Sequence, residues 1–584
     1  MKKTEKIDQI RHSLAHLLAI AVLEKHSETK LAIGPTIDNG FYYDFELPEG
    51  VSISLDALPK LTKQIKKLAQ SKIDFVREEI SEDDAKKLFK DQPYKLELID
   101  EITKDGGKLS IYRSGEFVDL CEGAHIENTS EINTDAFMLT TVAGAYWRGD
   151  EKNTQLTRVY GVAFETKEKL EEYLHQQEEA KKRDHRKLGK ELDLFMFSDV
   201  VGKGLPLWTP KGSIIRRELE RFIIDEETKR GYQHVYTPDI AKLDLYKKSG
   251  HYPHYKDSMY APIEIDDEEF MLRPMTCPHH FELYANKPRS YKELPMRIAE
   301  LAKLYRYEQS GELSGLMRVR SFCLADAHVI CADEEQAISE IERAIDLIED
   351  IATKLGLKIG ENYWYRLSLG DRSDKEKYFD NDSAWDKGED LLRKFLQKRG
   401  SKFVEAEGEA AFYGPKIDIQ MKSVLGKEDT AFTVQYDFCM PERFNLTYTD
   451  KDNKEKRALV VHRSSVGAIE RIMAFLIEFY AGAFPTWLSP VQVKVLPIAD
   501  AHKEYAEGVT QALKDAKIRV ELDDSNEGLG KKIRNTKLEK VPYFLVIGDK
   551  EVEDKKIMVE SRDNGQLGEK TVEEFVEDLE KEIK

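Results

Sequence analysis

The run from Arg273 to Cys331 constrains this chain more than any other stretch. LAKLYRY (301–307) alternates apolar and polar residues as a half-buried strand does. SGELSG (310–315) is a Gly/Ser-rich turn region, and VRSFCLADAHVI (319–330) reads as a second strand. Arg306 and Glu308 stand two apart on the first strand and so point to one face, with Arg318 and Arg320 on the returning side. Several guanidiniums beside one carboxylate suit a substrate carrying phosphates and an adenine ring. Arginine grips phosphate in a bidentate way, and glutamate accepts from an exocyclic amine. An isolated RYE would read as a salt-bridged surface hairpin; its company in the chain decides the matter.

At 584 residues the chain is long enough for about three or four domains, each with its own core. MKKTEKIDQIRH lacks an apolar signal-peptide core, and no run approaches the length of a membrane helix. The expectation is a cytoplasmic protein that is neither exported nor membrane-inserted. Cys121, Cys277, Cys323, Cys331 and Cys439 are few and scattered, which suits a reducing compartment and not a disulfide framework. The net charge of −19 argues against indiscriminate nucleic-acid binding, since phosphate contacts dominate such affinity. Local basic clusters at KKRDHRK (181–187) and KKIRNTK (531–537) leave room for one shaped RNA partner.

Three stretches in order resemble the class II aminoacyl-tRNA synthetases. SIIRRELERFIIDEETKRG followed by YQHVYTP, closing at Pro238, resembles motif 1, which builds the dimer interface in that class. RYE (306–308), the loop and MRVRSF resemble motif 2. GAIER (467–471), opening an apolar helix, resembles motif 3. RPMTCPHH, ADAH and VVHRSSVG resemble one member family in particular, the threonyl-tRNA synthetases. The resemblance implies an α+β multidomain chain. Its catalytic domain (193–487) would be built on the antiparallel sheet of class II synthetases, preceded by an α+β editing domain (1–165) and a linker helix (166–192). A C-terminal α/β anticodon-binding domain (488–584) would follow. No GxxxxGK loop or strand–GxGxxG–helix occurs, so a P-loop or Rossmann nucleotide site is not expected.

The implied reaction activates L-threonine with ATP and transfers it to the 3′ end of tRNA(Thr), in a homodimer. The resemblance assigns Arg306 and Arg471 to catalysis, together with His251 near the terminal adenosine. It gives Glu308, Arg318 and Phe322 the nucleotide, Asp326 the amino group, Tyr413 and Lys416 the substrate and Gln435 the nucleotide. Mg²⁺ would accompany ATP. Cys277, His328 and His462 are too far apart in sequence for their spacing to signal a metal. The family places zinc on these three positions, one ion per subunit, and three protein ligands leave a coordination position open. Leu324 stands where glutamine is common in the family and Ala468 where serine is common.

A zinc that binds amino group and side-chain hydroxyl rejects valine, which an apolar pocket alone separates from threonine by only about 100-fold. Serine lacks one methyl, worth about 1–3 kcal/mol, so it would be misloaded and a hydrolytic site is expected. In the opening helix His12 and His16 lie one turn apart, and FVDLCEGAHI supplies Asp119, Cys121 and His125. Such groups could form a tetrahedral zinc site, although an i, i+4 histidine pair is more often packing or surface. HSLAHLL, CEGAH and TVAGAYWRGD resemble the family's editing domain, in which these groups work without metal and Lys95 of PYKLELI belongs to the site. Bacterial members commonly carry a ubiquitin-like domain ahead of this helix, whereas little precedes Ile7 here.

The charged stretch after 166 reads as a solvated linker helix. In the C-terminal part, VQVKVLPI, IRVELDD and VPYFLVIGDKEV alternate with two helices and imply a small parallel-rich sheet. Glu551 matches a position that reads an anticodon base in relatives, whereas Glu560 stands where an arginine is expected, with Arg562 nearby. A serine or proline class II enzyme is disfavoured by the Cys/His/His trio, and a non-catalytic RNA-binding regulator by the intact Arg306 and Arg471.

Overall fold

The helix Lys6–Leu23 is apolar on nearly every side, with Leu14, Ala15, Leu17 and Leu18 wholly buried, so it needs walls all round. In the computed structural model, which describes residues 6–424, 426 and 428–583, two antiparallel sheets supply them. One is built on the strands Gly40–Glu46, Phe137–Tyr146 and Gln155–Ala163, the other on Phe75–Glu79, Ser110–Ser114 and Phe117–Leu120. This assembly is the first of two compact units, Met1–Glu178 and Glu179–Lys584.

The second unit is built on an eight-stranded sheet. Its order is Gln233–His234, Met296–Tyr305, Ser321–Cys331, Leu459–Ala468, Glu428–Asp437, Lys416–Lys422, Tyr363–Leu369 and Phe403–Glu407. Pairing is antiparallel except at the two edges. Along Ser321–Cys331 the period-two rule sorts chemistry by face. Cys323, Ala325, Ala327, Val329 and Cys331 enter the core shared with the helices Glu334–Lys354 and Ile469–Phe479. Phe322, Leu324, Asp326 and His328 line a cavity on the other face. The helix Pro210–Lys229 of the motif 1 stretch packs into the same core through Ile215, Leu219 and Ile223.

Three local expectations need correction. The first hairpin strand stops at Tyr305, so Arg306 and Glu308 lie beyond it in the turn; Arg306 N–H still bonds the Arg320 carbonyl at 3.0 Å. The charged stretch is two helices, Lys167–Arg183 and His185–Glu191, broken at Asp184, whose carboxylate caps the second. That second helix is not solvated, because His185 and Leu188 are buried. The C-terminal sheet runs Val520–Leu522, Val493–Pro497, Tyr543–Ile547, Ile557–Ser561, Gly565–Lys570; the first three strands are parallel and two antiparallel strands extend them. No helix among the described residues is long and apolar enough to cross a membrane.

Candidate functional site

A cavity of about 240 Å³ opens over the eight-stranded sheet. The antiparallel register puts His328 directly opposite His462, Asp326 opposite Glu300 and Leu324 opposite Ala468. Cys277 arrives from the first turn of the helix Cys277–Ala285. One donor atom each from Cys277, His328 and His462 lies within 4.8 Å of the others, a group able to hold a metal ion.

The surroundings fix how these donors face. Asp437 Oδ2 bonds His462 Nε2 at 2.6 Å, leaving Nδ1 for a ligand. Glu300 Oε2 faces His280 Nε2 at 3.3 Å, and His280 Nδ1 faces His328 Nδ1 at 2.8 Å. Burial would raise the Glu300 pKa, but hydrogen bonds from His280 and Thr237 and the Arg273 guanidinium hold it at about 2. The carboxylate can only accept, so Nε2 of His280 carries hydrogen. With hydrogen on Nε2, His280 Nδ1 is the nitrogen placed to accept from His328 Nδ1–H, which leaves His328 Nε2 as a lone pair. Burial, with His462 and His280 adding like charge, keeps the His328 pKa far below the usual imidazole range. Burial, with the Asp326 and Asp437 carboxylates, pushes the Cys277 thiol well above its ordinary value. A cation is what this donor set lacks, and three ligands leave it an open position.

At the other end of the cavity stand Arg306 and Arg471. Arg306 lies over the Phe322 ring at 5.2 Å and reaches Met275 Sδ at 3.6 Å. Arg471 donates to the carbonyls of Met317 (3.1 Å) and Thr430 (2.8 Å). Burial lowers both pKa values, and neither guanidinium has an ion pair among the described residues. Two recessed cations without carboxylate partners are costly, and an anion relieves the cost. Glu308 and Arg318 also line the cavity but are bonded to each other at 2.7 Å. Tyr413 donates to Gln435 Oε1 at 2.5 Å and stacks its ring on His462. Asp326 is recessed beside the donor trio, and burial raises its pKa. Leu324 and Ala468 pack with Phe322, Ala302, Leu304 and Val319 into an apolar wall.

Two assigned residues do not line this cavity. His251 is wholly buried; its Nδ1 faces Ser249 Oγ at 2.7 Å and its Nε2 lies 3.8 Å from the Cys277 sulfur. Burial, then the charges of His462 and Arg443, takes its pKa down to about 3. It stands beside the Cys277 sulfur, outside the lining of the cavity. Lys416 sits opposite Gln435 but pairs with Asp418 at 2.9 Å. Arg320 bonds the Glu308 carbonyl and holds the hairpin together.

In the first unit, His12, His16, Cys121 and His125 form a second group whose donor atoms lie within 4.8 Å of one another. Cys121 Sγ is 3.4 Å from Nε2 of both His12 and His125. The Ser13 hydroxyl gives its proton to the Gln9 carbonyl (2.8 Å) and so accepts from His125 Nδ1 (3.0 Å), which turns the His125 Nε2 lone pair toward the sulfur. Lys95 Nζ meets Asp119 Oδ1 at 2.6 Å, and Tyr43 donates to Asp119 Oδ2 at 2.6 Å, all buried. His16 Nε2 is 3.6 Å from Asp119. Burial lowers the pKa of all three imidazoles, and the Lys95 ammonium adds to this for His12 and His16. They are therefore neutral near pH 7, each with a lone pair free to receive a hydrogen bond, and each is a weaker base than a free imidazole. Gly123 crowds His12: a Cβ there would lie 2.2 Å from His12 Cε1. The six sequence-derived residues thus lie together, joined by Ser13 and Tyr43, which the sequence reading missed.

Glu551 is committed locally, its carboxylate accepting from Gly548 N–H at 2.8 Å ahead of the helix Asp549–Asp554. Glu560 pairs with Lys537, and Arg562 with Asp563 and the Lys540 carbonyl.

Residues 260–480 match the family described as tRNA synthetase class II core domain (G, H, P, S and T). Residues 492–582 match the anticodon binding domain, and residues 109–160 match the threonyl and alanyl tRNA synthetase second additional domain. Threonine–tRNA ligases of Anoxybacillus flavithermus and Staphylococcus carnosus are each 49% identical to the chain over 99% of its length and 89% of theirs. Among solved structures, the RNA binding domain of threonyl-tRNA synthetase from Cryptosporidium parvum is 36% identical with a TM-score of 0.65, covering 68% of this chain and 98% of that one. The putative threonyl-tRNA synthetase ThrRS-1 from Aeropyrum pernix is 30% identical with a TM-score of 0.58, over 69% and 96%.

Proposed function

The chain belongs to the threonyl-tRNA synthetase family, and on that premise we propose how its residues divide the work of charging tRNA(Thr). Cys277, His328 and His462 would hold one Zn²⁺, which would supply there a Lewis acid able to tell a β-hydroxy amino acid from valine. Asp326, beside the trio, takes the ammonium end of the substrate. Arg306 and Arg471 face the α-phosphate of ATP, which enters with Mg²⁺, and offset the charge that builds on its oxygens as the threonine carboxylate attacks and the α–β phosphoanhydride bond breaks to release pyrophosphate. Phe322 lies under the adenine, and Glu308 and Arg318 exchange part of their mutual ion pair for the nucleotide. Tyr413 and Gln435 fix the substrate against His462. The 3′-terminal ribose hydroxyl of tRNA then attacks the adenylate carbonyl and releases AMP.

The single observation that carries this reading is the convergence, in one cavity, of a Cys/His/His donor set and two guanidiniums that have no ion-pair partner among the described residues. Threonine-dependent ATP–pyrophosphate exchange tests it. Exchange with threonine and not valine is the expected result; no exchange with any amino acid would favour an RNA-binding regulator. His251 acts through Cys277 and not on the nucleotide.

Seryl-tRNA(Thr) is hydrolysed at the second site. A neutral His12 or His125 deprotonates water, while Lys95, Asp119 and Tyr43 orient the ester. The buried Lys95 ammonium disfavours a dication there, which supports metal-free hydrolysis. A homodimer is supported by exposed Tyr236 (91%), Ile240, Ile263 and Ile265 beside the motif 1 strand. The C-terminal sheet reads the anticodon, with Glu551 near the reading edge.

A further inference from the structure

The His185 imidazole joins three parts of the catalytic unit, and nothing above gives it a task. It opens the helix His185–Glu191 and is almost wholly buried. Its Nδ1 meets Glu478 Oε1 at 2.7 Å, on the helix that carries Arg471. Its Nε2 is 3.1 Å from the backbone N–H of Leu316, in the turn between the hairpin strands. An amide only donates, so Nε2 accepts and the ring proton sits on Nδ1, directed at the carboxylate. The tautomer is fixed from both sides.

The turn it holds is part of the cavity. Leu316 and Met317 line the wall, and the Met317 carbonyl receives Arg471 Nε at 3.1 Å. Gly315 is in the left-handed region at φ +50°, and a Cβ there would lie 2.1 Å from His185 Nε2. The chain comes this close to the imidazole only because the residue is glycine. An unbroken line of contacts runs from Glu478 through His185 and the 315–317 backbone to the Arg471 guanidinium.

We propose that His185 is a positioning residue for ATP: it pins the 315–317 turn so that the Met317 carbonyl holds Arg471 toward the α-phosphate. This rests on the reading above in which Arg471 meets ATP, and the test separates the two. His185→Phe keeps the ring and loses both bonds. His185→Gln keeps one acceptor and one donor, and Gly315→Ala pushes the turn off the imidazole. Each is assayed by threonine-dependent exchange, with active sites counted by adenylate formation and with Arg471→Ala in parallel.

The expected result is a fall in kcat/KM for ATP of about five- to tenfold per active site in His185→Phe, the size of one lost neutral hydrogen bond, the one that holds the Leu316 amide. KM for threonine stays unchanged, and His185→Gln recovers part of the loss. A purely structural role would lower the melting temperature and the active-site count and leave the ATP constants of the surviving sites unaltered; that result overturns the proposal. If His185→Phe does not fold, Gly315→Ala decides by the same constants. Should Arg471→Ala keep full exchange, the reading of Arg471 itself fails; should it abolish exchange while the His185 and Gly315 variants keep wild-type ATP constants, only the positioning role fails.

Discussion

Replacing His280 by phenylalanine isolates the relay that stands behind the metal-binding trio. His280 is wholly buried, and phenylalanine keeps a planar ring of similar size in that space. What disappears is the acceptor 2.8 Å from His328 Nδ1. Without it the His328 proton has no fixed seat, and the ring spends part of its time with hydrogen on Nε2, the nitrogen needed for the ion. Removing a group behind a metal ligand typically weakens affinity about 10–100-fold, or about 1.4–2.8 kcal/mol. Stability changes less. Glu300 loses one donor but keeps Thr237 and Arg273, so about 1 kcal/mol is expected. Competition for zinc against a chromophoric chelator reads the first quantity, and thermal unfolding with and without zinc reads the second. Threonine-dependent exchange should fall at limiting zinc and return at saturation. Unchanged zinc affinity would refute the relay, and so would a loss of exchange that excess zinc does not restore.

Other perturbations follow from the same geometry. Cys277→Ser should purify without stoichiometric zinc by elemental analysis and should lose its preference for threonine over valine in exchange. Gly123→Ala drives a methyl into the His12 ring; hydrolysis of seryl-tRNA(Thr) should slow about 100-fold, the low end of what general-base catalysis supplies, with threonine activation untouched. The folded-state pKa values of His12, His16 and His125 are depressed, so below about pH 6.5 the unfolded chain binds more protons than the folded one. Stability should therefore fall as pH drops from 7 to 5.5, by up to about 1.4 kcal/mol per pH unit for each imidazole. Melting curves across that range check the sign, and His16→Phe should flatten the dependence.

What could be read from sequence was local or ordered along the chain. The hairpin announces itself because strand alternation and a Gly/Ser turn are short-range signals, and Phe322, Asp326 and His328 share a face by simple period-two counting. The donor trio could not be found by spacing, since strand register brings His328 to His462 and a separate helix delivers Cys277 to them. Residues that act behind the first contacts were missed for a related reason. Glu300 looks like an ordinary polar position in MRIAELAKLY, and Asp437 like the end of a strand; their partners come from other segments. His185 was hidden by its neighbours, because KKRDHRK reads as solvated charge until the chain turns at Asp184 and buries one residue of the set. The ion pair of Lys416 was not foreseen, because the Asp418 that engages it lies on the same strand, two residues on.

The two His/Cys clusters use similar side chains, and their electrostatic surroundings separate their chemistry. Around Cys277, His328 and His462 stand Asp326 and Asp437, while Glu300 is already paired with Arg273; burial first, and then these two carboxylates, push the thiol pKa up, and a cation would offset both effects. Around His12, His16, Cys121 and His125 the buried carboxylate of Asp119 is already answered by the Lys95 ammonium and the Tyr43 hydroxyl. A dication in this second cluster would sit close to a buried positive charge and, held by four protein ligands, would have no vacancy for water. Neutral imidazoles are worth more there as bases than as ligands. The test is a charge swap: Lys95→Met should raise zinc affinity at the second cluster while slowing hydrolysis of the seryl ester. A variant that gained no zinc and lost no hydrolysis would mean that the ammonium does not set this chemistry.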